Sequence, residues 1–205
     1  MHDPTLAYYE ANAQRFVRDT QDVDMDHLHA PFLARLPASG ARVLDAGRGS
    51  GRDSLVFLAE RHDVTAFDAS EAMTRLASAR VGFPVLRMSF DEVEFENAFD
   101  GVWACASLLH VPRQDLPGAL RRLARALKPG GVLYASFKYG DAETVRGGRL
   151  FSDYREESFK EMLWDTPELQ PIELWRTPDM HPERPDTVWL NVLLQRVANP
   201  AIAYD

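Results

Sequence analysis

The chain has 205 residues, of which 45% are hydrophobic and 26% are charged. This length supports one sizeable core, so we expect a single domain over 1–205. The formal net charge of -8 argues against a nucleic-acid partner, because such binding depends mostly on Lys and Arg contacts to phosphate. No stretch reaches the roughly 18 apolar residues of a membrane span, and the N-terminus lacks a signal pattern. We therefore expect a cytoplasmic protein with no membrane partner that acts on a small molecule.

Two helices are predicted before the first strand. The segments "LAYYEANAQRF" and "MDHLHAPFLARL" both space their apolar residues for a helix, and we assign them to an N-terminal helical cap over 1–40. The core of the domain is then predicted over 41–205.

Five apolar runs that favour buried strands follow the cap. They are "RVLDA" (42–46), "DVTAFD" (63–68), "PVLRM" (84–88), "FDGVWACAS" (99–107) and "GVLYASFKY" (131–139). Helix-like segments lie between them, and the clearest, "LPGALRRLARALKPGG", places Leu116, Leu120, Leu123 and Leu127 on one face. This alternation predicts a doubly wound α/β fold with a mostly parallel sheet covered on both faces.

The C-terminal part departs from this alternation. A polar loop is predicted over 140–150 and a helix over 155–165, followed by the strand-like runs "PIELWRT" and "TVWLNVLLQRV". The Pro-rich connection between the two runs is too short for a crossover helix. This final pair is therefore predicted to be antiparallel.

The stretch "VLDAGRGSGRDS" (43–54) forms the turn after the first strand, where doubly wound sheets approach their ligand most closely. Glycines stand at 47, 49 and 51, whereas the dinucleotide fingerprint needs Gly or Ala three positions after the second glycine. Arg52 occupies that position, so NAD is the weaker hypothesis. A tight turn alone would need only one or two glycines.

Acidic residues follow the second and third strands. Asp68 ends "DVTAFD", where a carboxylate can accept hydrogen bonds from both hydroxyls of a ribose. A solvated Asp at a strand end is the alternative. Phe90 and Asp91 follow the third strand, where the ring can flank a purine and the acid can accept from its amino group.

Several segments together resemble the class I S-adenosylmethionine-dependent methyltransferases, in particular the small bacterial type that includes tellurite-resistance-like methyltransferases. They are "VLDAGRGSGRDS", "VTAFDAS", "FDGVWACASLLHVP", "LARALKPGGVLYASFKYG" and the final strand pair, and the resemblance extends from Tyr8 to Val197. It implies a Rossmann-like sheet of seven strands with the last one antiparallel, and S-adenosyl-L-methionine as cofactor.

The resemblance also implies a set of cofactor contacts. The turn from Gly47 to Gly51 would approach the methionine moiety, Asp68 the ribose, Met73 and Phe90 the adenine, and the backbone around Ala104 the methionine end. The full set of expected cofactor-binding residues is Tyr9, Asp45, Gly47, Gly49, Gly51, Arg52, Asp68, Ala69, Met73, Phe90, Asp91 and Ala104.

Arg48 is the departure from that family, whose members usually carry a small residue, often Cys, at this position. A guanidinium there would either crowd the cofactor or pair with its carboxylate. The first possibility predicts a non-catalytic binding protein with an altered pocket. The second predicts a partly buried ion pair.

Methyl transfer is an in-line displacement, so the protein must hold the acceptor atom close to the methyl group and away from water. Side chains that could line the acceptor side are Tyr8, Tyr9, His110, Lys138, Arg149 and Tyr154. His110 is the candidate catalytic base because its usual pKa suits proton transfer near neutrality. The alternative is a histidine that orders the loop or contacts the cofactor, and Lys138 is equally well explained as a snorkelling lysine at a strand end.

Tyr8, Tyr9, Asn12 and Phe16 resemble a lid helix, with core packing as the alternative for Tyr9. Cys105 stands alone in an apolar run, which is more typical of a small core residue than of a nucleophile. His27 and His29 would point to different faces of a helix, so no metal site is expected. The prediction is a metal-independent methyltransferase for a small-molecule acceptor. An NAD-dependent oxidoreductase is the less favoured alternative.

Overall fold

The computed structural model describes residues 3–181, 184 and 186–197. The helices in this part of the chain are α1 (Asp3–Thr20), α2 (Asp26–Leu33), α3 (Arg52–Ala59), α4 (Glu71–Val81), α5 (Leu116–Ala126) and α6 (Glu156–Leu163). The strands are β1 (Arg42–Ala46), β2 (Asp63–Asp68), β3 (Leu86–Arg87), β4 (Phe99–Ala104), β5 (Leu127–Lys138), β6 (Glu143–Arg146), β7 (Arg149–Ser152), β8 (Leu169–Pro178) and β9 (Val188–Arg196).

The main sheet has the order β3-β2-β1-β4-β5-β9-β8. The pairs among the first five strands are parallel, whereas β9 is antiparallel to both β5 and β8. The sequence-based prediction of a doubly wound, seven-stranded sheet whose last strand is antiparallel is thus confirmed. β9 lies between β5 and β8, because the short connection returns the chain beside the strand that it has just left.

Successive residues of the central strands point to opposite faces of the sheet, and each face packs against an apolar layer. Val43 faces a cluster with Phe32 of α2, Phe57 of α3 and Trp103 of β4, and these side chains are 0% exposed. Leu44 points the other way, into the larger layer formed with α5 and α6. Burying each such side chain stabilises the fold by roughly 1.5–3 kcal/mol, so the sheet is held firmly from both faces. The carboxyl ends of its strands therefore form a rigid platform.

The segment predicted as a polar loop over 140–150 instead contains most of an antiparallel hairpin. β6 and β7 pair around Gly147 and Gly148, and all four residues of β6 are exposed. The apolar alternation that normally indicates a strand is missing from β6, which explains the wrong prediction. The Gly-Gly pair was the available hairpin signal.

Two smaller predictions are also wrong. Regular pairing of β3 covers only 86–87 of the predicted 84–88. Leu127 begins β5 and does not continue the helical face of α5. The next residue, Lys128, precedes a proline, which disfavours helical backbone there.

Both helices predicted for the N-terminal cap are present. α1 packs against α4 through Ala13 and Met73, and α2 packs beneath the sheet through Phe32. Among the described residues, no helix is long and apolar enough to cross a lipid bilayer. The position of α1 brings it across the carboxyl ends of the strands.

Candidate cofactor and acceptor site

A cavity of about 590 Å³ lies where β1, β2, β4 and β5 end. Its lining includes Gly47 and Gly49 after β1, Asp68 of β2, Cys105 after β4 and Lys138 of β5. The volume falls within the roughly 300–1,000 Å³ that is usual for ligand pockets. α1, the β6–β7 hairpin and described residues around the β8–β9 connection complete its walls.

In the turn after β1, Gly47 and Gly49 lie so close to neighbouring side chains that a Cβ would crowd them. A Cβ on Gly47 would lie 2.4 Å from the Cβ of Ser107, and φ at Gly47 is 74°, which disfavours any other residue. A Cβ on Gly49 would lie 3.2 Å from the Phe16 ring of α1. Both glycines line the cavity, so their bare backbone is open to a ligand.

Gly51 has a different role, because it makes room for Arg48. A Cβ there would lie 2.8 Å from Nη2 of Arg48, and φ is 79°. The Arg48 guanidinium lies 5.1 Å from the centroid of the Phe83 ring, and its Nε is 3.9 Å from Oδ2 of Asp45. The Arg48 side chain is 0% exposed, so only the backbone of this residue reaches the cavity. The guanidinium therefore lies behind the turn and leaves the cavity open.

Arg48 is buried without hydrogen-bond partners for its Nε, Nη1 and Nη2 among the described residues. Burial lowers the pKa of this guanidinium. Nearby Asp45 accepts a hydrogen bond from the Ser54 hydroxyl, and burial with the adjacent Asp53 charge raises the Asp45 pKa to about 7. Asp45 thus joins β1 to α3 beneath the turn.

Replacing Arg48 with a smaller or uncharged residue is expected to leave the affinity for S-adenosylhomocysteine within about twofold. The side chain reaches neither a blocking position nor one from which it could bind a ligand in the cavity. Calorimetry on Arg48→Cys and on Arg48→Met, which matches the volume better, checks this result. A gain of tenfold, roughly 1.4 kcal/mol, would indicate that the arginine obstructs the cavity, and an equal loss would indicate an ion pair with the ligand.

Asp68 lies at the rim of the cavity and is 8% exposed. Its Oδ2 accepts a hydrogen bond from the backbone nitrogen of Gly49 at 3.0 Å, and its Oδ1 accepts one from Ser70 at 2.9 Å. Burial raises its pKa, and these backbone hydrogen bonds partly offset the effect. The carboxylate is therefore held in one orientation between the glycine turn and the start of α4.

Asp53, which no sequence motif singles out, is the centre of a buried hydrogen-bond network beside the cavity. It accepts hydrogen bonds from Nε and Nη2 of Arg52 at 2.7 and 3.0 Å, and from Nε1 of Trp103 at 2.9 Å. Nε2 of His29 lies 3.1 Å from its Oδ1. Burial alone would raise the pKa of Asp53, but Arg52 and His29 lower it well below its usual value.

This network fixes Arg52, which was predicted to bind the cofactor. Its side chain is 19% exposed and lines the cavity, and its Nη1 donates to the carbonyl of Thr20 at 3.4 Å. The arginine thus connects α3 to the end of α1. The adjacent charges of Arg52 and Asp53 in "GRDS" were the only sequence feature that indicated this ion pair.

Helix α1 bridges both sides of the cavity. On the glycine side, the Glu10 carboxylate accepts hydrogen bonds from the backbone nitrogens of Glu71 and Ala72 at 2.6 and 3.1 Å. On the opposite side, Thr5 Oγ1 accepts from the backbone nitrogen of Leu150 at 2.9 Å. Half-buried Tyr9 lies between these attachments and lines the cavity. This position fits the predicted lid better than core packing alone.

His110 lies in the 3₁₀ helix Leu108–His110, with both ring nitrogens engaged. Its Nδ1 is 2.6 Å from the carbonyl oxygen of Leu150, which can only accept, so Nδ1 carries the proton. Nε2 then accepts a hydrogen bond from the Tyr9 hydroxyl at 2.9 Å. Burial lowers the His110 pKa to about 4, which leaves a neutral ring near pH 7. This geometry favours the alternative in which His110 orders its surroundings.

The other predicted acceptor residues separate into two groups. Lys138 and Arg149 line the cavity, and burial lowers the pKa of Lys138 to about 8 although Asp179 lies 3.1 Å from its Nζ. Tyr154 is 2% exposed, packs against Phe137 and Phe159, and does not line the cavity, which corrects that prediction.

Cys105 lines the cavity, and burial raises the pKa of its thiol to about 12. The thiol is therefore protonated near neutral pH, in keeping with the expectation that it is not a nucleophile. Within the described residues, no group of three His, Cys, Asp or Glu side chains is placed to hold a metal ion.

Seven of the predicted cofactor residues lie outside the cavity lining: Asp45, Gly51, Ala69, Met73, Phe90, Asp91 and Ala104. Met73 and Phe90 are buried at 1% and 5% exposure, and Asp91 is exposed. Phe90 nevertheless lies close to the turn, with its ring 3.5 Å from the Cβ position of Gly47. The adenine assignment stays a prediction.

The sheet order, the bare glycine turn and the carboxylate after β2 define a Rossmann-like fold of the methyltransferase type. The profile of the family described as "Methyltransferase domain" matches residues 43–131. The chain is similar to class I S-adenosylmethionine-dependent methyltransferases in this segment and in its sheet order. The narrower resemblance to tellurite-resistance-like members is not confirmed by these comparisons.

Two curated relatives and one solved structure illustrate the similarity. The chain is 36% identical over 110 residues to a ubiquinone biosynthesis O-methyltransferase of Xanthomonas oryzae, covering 50% of this chain and 45% of the relative. It is 37% identical over 112 residues to a malonyl-[acyl-carrier protein] O-methyltransferase of Erwinia pyrifoliae, covering 53% and 42%. The chain thus spans less than half the length of these two relatives.

The structural similarity extends over almost the whole chain. The 1,6-didemethyltoxoflavin-N1-methyltransferase of Burkholderia thailandensis, solved with 1,6-didemethyltoxoflavin and S-adenosylhomocysteine, superposes with a TM-score of 0.77 at 25% identity. The match covers 94% of this chain and 87% of that protein.

Proposed function

We propose that this protein transfers a methyl group from S-adenosylmethionine to a small-molecule acceptor. The observation that carries the proposal is the cavity at the carboxyl ends of the strands, bordered by the bare backbone of Gly47 and Gly49 and by the oriented carboxylate of Asp68. This combination fits a nucleoside cofactor that must approach the main chain closely. The similarity to methyltransferases supports the same function.

Asp68, the glycine turn, Arg52 and Tyr9 each have a role in this proposal. Asp68 would accept hydrogen bonds from the ribose hydroxyls, and the Gly47–Gly49 backbone would lie along the methionine moiety. Arg52, fixed by Asp53, would place a positive charge near the methionine carboxylate. Tyr9 would cover the cofactor from α1.

When bound, S-adenosylmethionine supplies an electrophilic methyl group. The acceptor's lone pair forms the new bond to carbon while the electrons of the breaking C–S bond pass to sulfur, and the acceptor loses its proton to solvent or base. The chain's own residues contribute position and exclusion of water, which together can supply roughly 7–11 kcal/mol. α1, held to both rims by Glu10 and Thr5, supplies that cover.

Two of the named proteins support a small-molecule acceptor, since their names describe ubiquinone biosynthesis and 1,6-didemethyltoxoflavin. The non-catalytic hypothesis required Arg48 to alter the pocket, and its side chain lies behind the turn. The nicotinamide hypothesis required a glycine spacing that Arg52 interrupts.

A thermal unfolding experiment tests the cofactor. S-adenosylhomocysteine at a hundred times its Kd should stabilise the protein by about 2.7 kcal/mol, whereas NADH should leave the melting temperature unchanged. A shift with NADH alone would contradict the proposal. Incorporation of radiolabelled methyl groups into a metabolite extract then separates an enzyme from a binding protein, and a protein that binds the cofactor without any incorporation would contradict catalysis.

Removing His110 is expected to have the same effect as removing the hydroxyl of Tyr9, because the two side chains share one hydrogen bond. We expect His110→Ala and Tyr9→Phe each to lower kcat/KM by about tenfold, the value of one hydrogen bond. The pH profile of kcat/KM should show no inflection between about pH 6 and 8 from a group whose pKa is about 4. A loss in His110→Ala a hundred times larger than in Tyr9→Phe would instead support a catalytic base.

A further inference from the structure

The charged side chains that line the cavity are largely paired with one another. Arg52 pairs with Asp53, Lys138 with Asp179, and Arg146 with Asp153 at 2.7, 3.1 and 2.5 Å respectively. Arg184 and Arg48 each lie 3.9 Å from a carboxylate oxygen. Among the described lining residues, Arg149 is the cation that has no carboxylate oxygen within 4.0 Å.

Arg149 lies among aromatic rings on the side of the cavity that α1 and the β6–β7 hairpin form. The centre of its guanidinium is 4.5 Å from the Tyr8 ring, 5.2 Å from the Phe151 ring and 5.9 Å from the Tyr9 ring. Its Nε is buried and has no hydrogen-bond partner among the described residues. Cation–π contacts engage the faces of the group and leave this Nε without a partner.

The backbone beside Arg149 is fixed on both sides. The nitrogen of Leu150 donates to Thr5 of α1, and its carbonyl accepts from His110. Arg149 is therefore held next to the Tyr9–His110 pair, where its charge opposes the effect of burial on the Tyr9 pKa. Arg146, its cross-strand neighbour in the hairpin, is paired with Asp153 and leaves Arg149 as the cation without a carboxylate at this edge.

We propose that Arg149 binds an oxyanion of the methyl acceptor, so that the substrate class is a small molecule that carries a carboxylate or a phosphate. This inference rests on the proposed methyl transfer. A half-buried guanidinium without a carboxylate partner is costly to maintain, and two oxygens of a carboxylate or a phosphate would satisfy its parallel N–H donors. The aromatic rings of Tyr9 and Phe151, which line the cavity, would contact the apolar part of the same molecule.

The test uses a metabolite extract that is separated on an anion-exchange resin before the reaction. The retained and unretained fractions are each incubated with methyl-labelled S-adenosylmethionine and the wild-type protein, Arg149→Gln, Arg149→Lys or Arg35→Gln. Arg35 is an exposed arginine outside the cavity lining and serves as the matched control. Treating the retained fraction with a phosphatase distinguishes a phosphate from a carboxylate, because only a phosphorylated acceptor is lost.

We expect the methyl label to be incorporated into the retained fraction. Relative to wild type, the KM for that fraction should rise about tenfold or more in Arg149→Gln and by less in Arg149→Lys. The control should behave as wild type, and S-adenosylhomocysteine affinity should change by less than about twofold in every variant, which shows that the site is folded. If Arg149→Gln binds S-adenosylhomocysteine more weakly than wild type by more than about twofold, the KM of Arg149→Lys is used to judge the oxyanion site instead.

Label confined to the unretained fraction, or a wild-type KM in the Arg149 variants, would overturn the oxyanion site and leave the methyltransferase proposal standing. A wild-type KM is also what a purely structural cation–π role would produce. No incorporation from either fraction would overturn the methyl transfer itself, together with the inference that rests on it.

Discussion

Asp53→Ala is expected to lower the free energy of unfolding by about 3–5 kcal/mol, the usual cost of removing one partner from a buried charge pair. The substitution leaves the Arg52 guanidinium, the Trp103 indole nitrogen and His29 without their shared acceptor. Urea denaturation near pH 7 measures the effect. Asp63→Ala, at the exposed start of β2, is the control and should change stability by less than about 0.5 kcal/mol.

The same variant has a defined pH dependence. The pKa of Asp53 is lowered in the folded protein, so its contribution is fully present above the unfolded value of about 3.9 and is lost as the pH falls through the folded value. The stability difference between wild type and Asp53→Ala should therefore shrink on acidification below about pH 4. A difference that stayed constant on acidification, or that was absent at pH 7, would contradict the network as the origin of the effect.

Asp68→Ala is expected to weaken binding of S-adenosylhomocysteine by about 1–3 kcal/mol, because the ribose would lose its charged acceptor. The carboxylate is already oriented by Gly49 and Ser70, so little ordering is needed when the ligand binds. Isothermal calorimetry measures the change, and Asp68→Asn isolates the contribution of the charge from that of the shape.

Asp63→Ala again provides the control, since it lies at the opposite end of the same strand from Asp68. Its affinity should equal that of wild type. A folded Asp68→Ala protein with unchanged affinity would show that the ribose is not bound at this strand end.

Local sequence patterns predict most of the fold. The runs that became β1 and β2 are short and apolar, and the alternation with helices requires parallel pairing. The antiparallel β8–β9 pair followed from the short connection between the two strands. The β6–β7 hairpin was missed because β6 is exposed along its whole length and has no apolar face to reveal it.

Only those site residues that lie at the carboxyl ends of strands could be predicted from the sequence. Gly47, Gly49 and Asp68 meet at the cavity because the carboxyl ends of neighbouring parallel strands converge. The contacts between Tyr9 and His110, 101 residues apart, and between Asp53 and Trp103, 50 residues apart, carry no local pattern. They depend on how α1 and α3 dock on the sheet.

The order of the elements, the bare turn and the acidic strand end follow from the chain alone, because periodicity, glycine backbone freedom and strand polarity are properties of neighbouring residues. The directions of the Arg48 and Arg149 side chains follow only from the folded protein. Arg48 turns behind Gly51 onto Phe83, and Arg149 lies against Tyr8 in the cavity wall. A long side chain takes its direction from the packing around it, and that packing is assembled from distant parts of the chain.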